Sequence, residues 1–300
     1  VRSVGPSVTR VKAGDHVVLC WAPPCGECPS CREGRAVLCD RVEKVTFRNK
    51  LPSGTTRLHA RGKDVAPFLG TACFADAVVV PEAGVVPVAR DIPFDALATL
   101  GCAVLTGVGA VVTCAHVPAH SRVAVIGAGG VGLNVIQGAV MSGCTAIAAI
   151  DTRQKPLEIA KRFGATHTID GSGDTATAVR ELTGGRGADF VFDTVGSPAT
   201  LNAALNAAKK GGTVVLTGLS RADAQAAFPM FPFVMQEKQL VGSVYGSGRP
   251  SEDIPRLASW FQEGKLKLRE LVARTYTLDG INDALNALAS SDGARGVVTW

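Results

Sequence analysis

Val123–Gly132 reads VAVIGAGGVG, and Ala146–Asp151, a little further on, reads AIAAID. A short apolar run that breaks into three glycines and then opens VGLNVIQGAVMSG spells strand, tight turn and helix. Gly127, Gly129 and Gly132 stand in G-x-G-x-x-G spacing. Alone that pattern is weak, because the chain holds 34 glycines and a flexible turn would satisfy it. Its place decides the reading: the first glycine permits the turn, the second lets backbone approach a pyrophosphate, and the third lets the helix pack closely. Gly130 and Val131 stand at the head of that helix, where the N-terminus faces phosphate charge. Asp151 ends the second strand 19 residues after Gly132. From there a carboxylate accepts hydrogen bonds from the adenosine ribose and repels a 2′-phosphate, so NAD is expected over NADP. The competing readings are a helix cap for Asp151 and a phosphate partner in Arg153.

From Arg122 onward, apolar runs alternate with helical stretches. VAVI, AIAAI, FVFDTVG, GTVVLTG and LVGSVYG are strands, with PLEIAKRFG and a segment around Ala199 to Ala208 as helices between them. About six strands joined by crossovers imply a doubly wound parallel sheet covered on both faces, an α/β fold. Residues before Ala103 are rich in Gly, Pro and short β-branched runs such as HVVLC, ADAVVV and AGVVPV, which read as a mainly β region. Beyond Tyr245 come two helices, IPRLASWFQEG and INDALNAL, and a terminal strand, RGVVTW. The expected divisions are residues 1–103, 104–246 and 247–300.

The bulk properties are those of an ordinary globular chain: 300 residues, 46% hydrophobic, 19% charged, formal net charge +5. No apolar run is expected to approach the roughly 18 residues of a membrane span. The small charge, without a Lys/Arg block, makes no case for nucleic acid or an anionic membrane as partner. The opening VRSVGPSVTRVKAGDHVV has no signal-peptide pattern, and starting at Val1 it reads as the interior of a longer protein. Nine cysteines in a chain of this size do not make a disulfide scaffold, and a reducing cytoplasm is expected.

Four of those cysteines cluster. Cys25, Cys28, Cys31 and Cys39 lie in CGECPSCREGRAVLC with C-x2-C-x2-C-x7-C spacing. Four thiolates close a tetrahedral zinc site with no open position, which suits a structural role. An iron–sulfur cluster would follow the third cysteine with x3-C-P, and here the fourth comes after seven residues and precedes Asp40. Cys114, His116 and His120 form a second string, but Pro118 prevents a helix from bringing both imidazoles to one face, so a loop is expected. His16, His59 and His167 have no ligand partner in sequence and read as structural.

A four-cysteine lobe followed about a hundred residues later by the dinucleotide unit resembles the medium-chain zinc-dependent alcohol dehydrogenases. VKAGDHVVL, GCAVLTGVGAV and RGVVTW are similar to that family's strand before the lobe, its entry into the cofactor domain and its last strand. The resemblance implies a Rossmann sheet plus a GroES-like catalytic domain, incomplete at its N-terminus. It implies that Cys102 is a ligand of the catalytic zinc, that Thr106 and Val131 pack about the nicotinamide, and that Arg295 reaches the cofactor pyrophosphate. By itself Cys102 reads as a core cysteine and Arg295 as a surface charge. The family's other two protein ligands and its proton-accepting hydroxyl lie upstream of VGPSVTRVKAGDHVV, so the chain as given is expected to be inactive. Members often carry a Lys five residues after the ribose-binding Asp; here that place is Pro156, with Lys155 one earlier.

The activity so implied is oxidation of a small-molecule alcohol, with zinc polarising it and NAD accepting the hydride. GCAVLTGVGA and YGSGRPSEDIPRL look most like the class III group, which includes thiol-dependent formaldehyde dehydrogenases. Two rival readings are a zinc-free quinone oxidoreductase, against which the cysteines argue, and a non-catalytic dinucleotide-binding fragment. Pairing through LVGSVYG as an edge strand would give a homodimer or homotetramer.

Overall fold

VAVI lies in the first strand of a six-stranded parallel sheet. We number its strands β1 (Arg122–Ile126), β2 (Ala146–Asp151), β3 (His167–Asp170), β4 (Ala188–Asp193), β5 (Ala208–Leu216) and β6 (Gln239–Gly242). The order across the sheet is β6-β5-β4-β1-β2-β3, with every pair in the sheet parallel. That is the doubly wound order, and its direction reverses between β1 and β4, where ligands bind beyond the strand ends. Val123 pairs with Ile147 of β2 on one side and with Phe190 of β4 on the other.

The intervening helices are α1 (Gly130–Met141), α2 (Gln154–Phe163), α3 (Thr175–Leu182) and α4 (Pro198–Ala207). Ala124, Ile126, Ile150, Val191 and Val214 form one apolar layer with Val179, Leu201 and Leu205 of α3 and α4. Val123, Val125 and Ile147, pointing to the other face, are also buried. Burial on both sides is why the strands read as continuous apolar runs rather than alternating ones. Ser197 caps α4 in a capping box with Thr200, and Asp174 caps α3 through the Thr177 N–H at 3.0 Å. β3 and α3 carry no continuous apolar run in the sequence. Only Ile169 of the four β3 residues is buried, because β3 is an edge strand.

The computed structural model describes residues 1–289 and 295–300. They fall into two units. The first comprises Val1–Leu105, Gly248–Ala287 and Gly296–Trp300, and the second Thr106–Ser247 and Leu288–Arg295. In the first unit, His16–Leu19 pairs antiparallel with Val85–Val88, Leu58–Ala60 with Lys63–Val65, and Val272–Tyr276 with the strand that begins at Arg295. ADAVVV, expected as a strand, forms none. Val79 is 70% exposed, and a β-branched run becomes a strand only where another strand accepts its backbone bonds.

One helical run contradicts the expectation about membrane length. Phe94–Cys114 is 21 residues long and holds an 18-residue window of mean hydropathy 2.0, enough by length and composition to cross a membrane. Two thirds of it (67%) is buried inside the protein, which is how the core helix of a globular protein acquires such a composition. Two of its turns are π-helical, Leu100–Val104 and Ala110–Cys114.

Candidate cofactor site and thiolate cluster

The turn between β1 and α1 is built as the glycine spacing requires. Gly127 has φ of +91°, which a side chain would strain, and its N–H donates to Ile150 O of β2 at 2.8 Å. A β-carbon on Gly132 would collide with the carbonyl of Gly127, so α1 can begin this close to β1 only with glycine there. Gly129 has open space where a side chain would stand, leaving its backbone approachable. Thr194, just past β4, donates its hydroxyl to Ile126 O at 3.0 Å and to Gly127 O at 2.9 Å and so locks the turn.

Asp151 closes onto this turn. Its Oδ2 accepts the Ala128 N–H at 3.0 Å, and its Oδ1 accepts the Arg153 N–H at 3.1 Å, with the Arg153 guanidinium 3.6 Å away. The carboxylate is therefore held at the end of β2 and faces a cavity of about 450 Å³. Gly127, Gly171, Val195, Thr200 and Asn206 are among the cavity's walls. A space of that size accommodates the adenosine half of a dinucleotide. Sequence reasoning missed Thr194, Val195 and the Gly171–Asp174 loop. The signal was present in DTVG and DGSGD, which immediately follow strands at the carboxyl edge of the sheet.

Arg295 reaches the same turn from the far end of the chain. Its guanidinium lies against Gly130, where a β-carbon would strike it. Its Nε is buried and, among the described residues, has no hydrogen-bond partner. A buried donor without an acceptor costs free energy, roughly 1–3 kcal/mol, and at a helix N-terminus the missing partner is an anion. The residues present thus fit a dinucleotide pyrophosphate. Thr106 is buried, and the next residue, Gly107, packs against the Val131 carbonyl so closely that a β-carbon would lie 2.5 Å from that oxygen. This brings Thr106 and Val131 to neighbouring turns at the head of α1.

The four clustered cysteines also meet. Their sulfurs lie within 4.8 Å of one another, with Cys25 and Cys31 4.0 Å apart; tetrahedral zinc with Zn–S near 2.3 Å separates sulfurs by about 3.8 Å. Pro29 opens the short helix Pro29–Arg32 inside the lobe, its fixed φ suited to that position. The Cys28 N–H donates to Cys25 Sγ and the Cys25 N–H to Cys39 Sγ, each at 3.3 Å. The N–H groups of Glu27 and Cys28 pull the Cys25 thiol down to about 6, whereas burial pushes Cys31 up to about 12. Four sulfurs at this spacing fit a closed zinc cage.

Cys102 stands on the first π-helical turn, exposed and outside that cage. Among the described residues the lobe is the one group of three or more side chains placed to share a metal. Cys114 ends the helical run Ala110–Cys114, and His116 and His120 lie in the loop beyond it, both at positive φ. His16 stacks on Phe94 with ring centroids 4.4 Å apart, and His59 pairs with Asp64 at 2.9 Å on an exposed hairpin.

Two family descriptions match the chain: "Alcohol dehydrogenase GroES-like domain" over residues 1–90 and "Zinc-binding dehydrogenase" over residues 130–263. It is 35% identical over 303 residues to alcohol dehydrogenase B of Mycobacterium tuberculosis, covering 100% of this chain and 81% of that protein. It is 36% identical to an S-(hydroxymethyl)glutathione dehydrogenase of Aspergillus oryzae, covering 99% of this chain and 78% of the relative. Among solved structures it superposes on benzyl alcohol dehydrogenase from Acinetobacter calcoaceticus with a TM-score of 0.91 and 31% identity, over 98% of this chain and 80% of the other.

Proposed function

The chain belongs to the zinc-dependent medium-chain alcohol dehydrogenases, and on that footing we propose that it oxidises a small alcohol with NAD as hydride acceptor. The observation that carries the reading is the buried Nε of Arg295 at the head of α1, which has no hydrogen-bond partner among the described residues. Arg295 and the N–H groups of the first turn of α1 hold the pyrophosphate, with Gly129 leaving room for it and Gly130 leaving room for the Arg295 guanidinium. Asp151 accepts the ribose hydroxyls, and Arg153 steadies the carboxylate. Thr106 and Val131 pack about the nicotinamide. Cys102 is a ligand of the catalytic zinc.

When bound, nicotinamide supplies the hydride acceptor and zinc the Lewis acid that lowers the alcohol pKa. Among the described residues Cys102 joins no group of three metal-ligating side chains, so these residues do not by themselves make a catalytic zinc site. What they do is anchor the cofactor at its phosphates and ribose, which fixes the position of the ring. The relatives' names point to two substrate classes, a plain alcohol such as benzyl alcohol and a thiol–formaldehyde adduct, and both are to be assayed. We also read the protein as a homodimer or homotetramer paired through β6, in a reducing cytoplasm.

The test follows NAD reduction by the full-length protein, supplied with zinc, with each substrate. Alcohol-dependent turnover is expected. Cys102→Ala should lower it by more than about a hundredfold, since loss even of a group that only orients a ligand costs 10–100-fold. NADH affinity should survive. Turnover indifferent to Cys102 would remove it from the site, and failure to bind NADH would sink the reading as a whole.

A further inference from the structure

At the carboxyl end of β4, beside the reversal of strand order, Asp193 pairs in register with Ile126 at the end of β1. Its side chain is fully buried. A carboxylate taken out of water must be compensated by donors, and three are supplied by the segment that follows it. Oδ1 accepts the N–H of Val195 at 2.9 Å and that of Gly196 at 3.0 Å, while Oδ2 accepts the Thr200 hydroxyl at 2.9 Å. The turn is closed further: Gly196 has φ of +77° and packs on the backbone of Gly218, with no room for a β-carbon, and Ser220 donates its hydroxyl to Gly196 O.

The residues that this carboxylate brackets are cofactor-facing ones. Val195, Ala199 and Thr200 form the side of the 450 Å³ cavity that also includes Gly127 and Asp151. Thr194, the residue next to Asp193, holds the Gly127 turn through two carbonyls. Asp193 itself does not line the cavity. We propose that Asp193 is a positioning residue for NAD: from beneath the site, it sets the wall against which the adenosine half of the cofactor lies. This rests on the cofactor reading given above. Asp193 should govern how tightly the adenosine half is held, whereas Asp151 governs which cofactor is chosen.

Asp193→Asn tests this, because it keeps size and shape and replaces one accepting oxygen by an amide that cannot accept. Whichever way the amide turns, either the Val195–Gly196 turn or the Thr200 hydroxyl loses its acceptor. NADH and ADP-ribose should both bind about fivefold to tenfold more weakly, by fluorescence titration and calorimetry, and the NADH-to-NADPH preference should stay as in the parent. Thr200→Val, which removes the hydroxyl arm together with the Thr200 hydroxyl's part in the α4 capping box, should weaken both ligands likewise, and Thr200→Ser should restore them. Should Asp193→Asn fail to fold, the Thr200 pair decides. Folded variants that bind ADP-ribose as the parent does would overturn the proposal. A parent that binds no NADH would instead overturn the cofactor reading on which it rests.

Discussion

At the scale of single residues, the site is a set of hydrogen bonds of ordinary length that hold charge in place. Asp151 is fastened by the N–H groups of Ala128 and Arg153, so its orientation toward the cavity is set by backbone. If the carboxylate selects the cofactor, NADH should bind more tightly than NADPH, and Asp151→Gly should weaken NADH by about tenfold or more, the worth of a hydrogen bond to a charged group. The same change should leave NADPH nearly unaffected, narrowing the gap. Equal affinities in the parent, measured by fluorescence titration, would show that Asp151 does not discriminate. The tight turn at Gly127–Gly132 and the strand end at Asp151 were legible in sequence because they depend on local spacing about one turn. Asp193, Thr194 and the cavity wall were not, because what they do depends on which strand ends stand side by side.

At the scale of elements, the cysteine lobe is the clearest case of a segment without a core of its own. Cys25 to Cys39 contribute a four-residue helix and a three-residue 3-10 turn, and Arg249 ties the loop down through Gly34 O at 3.3 Å. An ion shared by four sulfurs supplies the stability that so little apolar burial cannot, since structural zinc contributes about 10–16 kcal/mol in isolated metal-folded peptides. A polypeptide of residues 1–300 should therefore hold about one zinc. Strong chelation, or Cys28→Ser, should remove it and lower the melting temperature by roughly several degrees. A metal content near zero, or a melting curve indifferent to chelation, would rule out the cage. The spacing of the cysteines announced the lobe; ADAVVV shows the limit of such reading, because a strand needs a partner that its own residues cannot name.

At the scale of the whole molecule, the parallel sheet leaves one apolar margin uncovered. β6 is an edge strand, and the helix just before it, Met230–Met235, exposes Met230, Phe231, Val234 and Met235. A contiguous apolar face beside unpaired backbone is where a second copy would dock. Sedimentation should find a dimer or larger assembly, and Phe231→Asp with Val234→Lys should shift it toward monomer while NADH binding persists. A monomeric parent at micromolar concentration would end that reading. By itself the sequence determined the α/β class, the dinucleotide turn and the gathering of four thiols, because period, glycine spacing and ligand spacing act within a few tens of residues. Only the tertiary structure decided the order of the strands, the meeting of Arg295 with Gly130, the burial of Asp193 and the inward placement of the apolar run Phe94–Cys114. Those depend on which surfaces close over one another to leave water, and that is a property of the folded chain rather than of any one stretch of it.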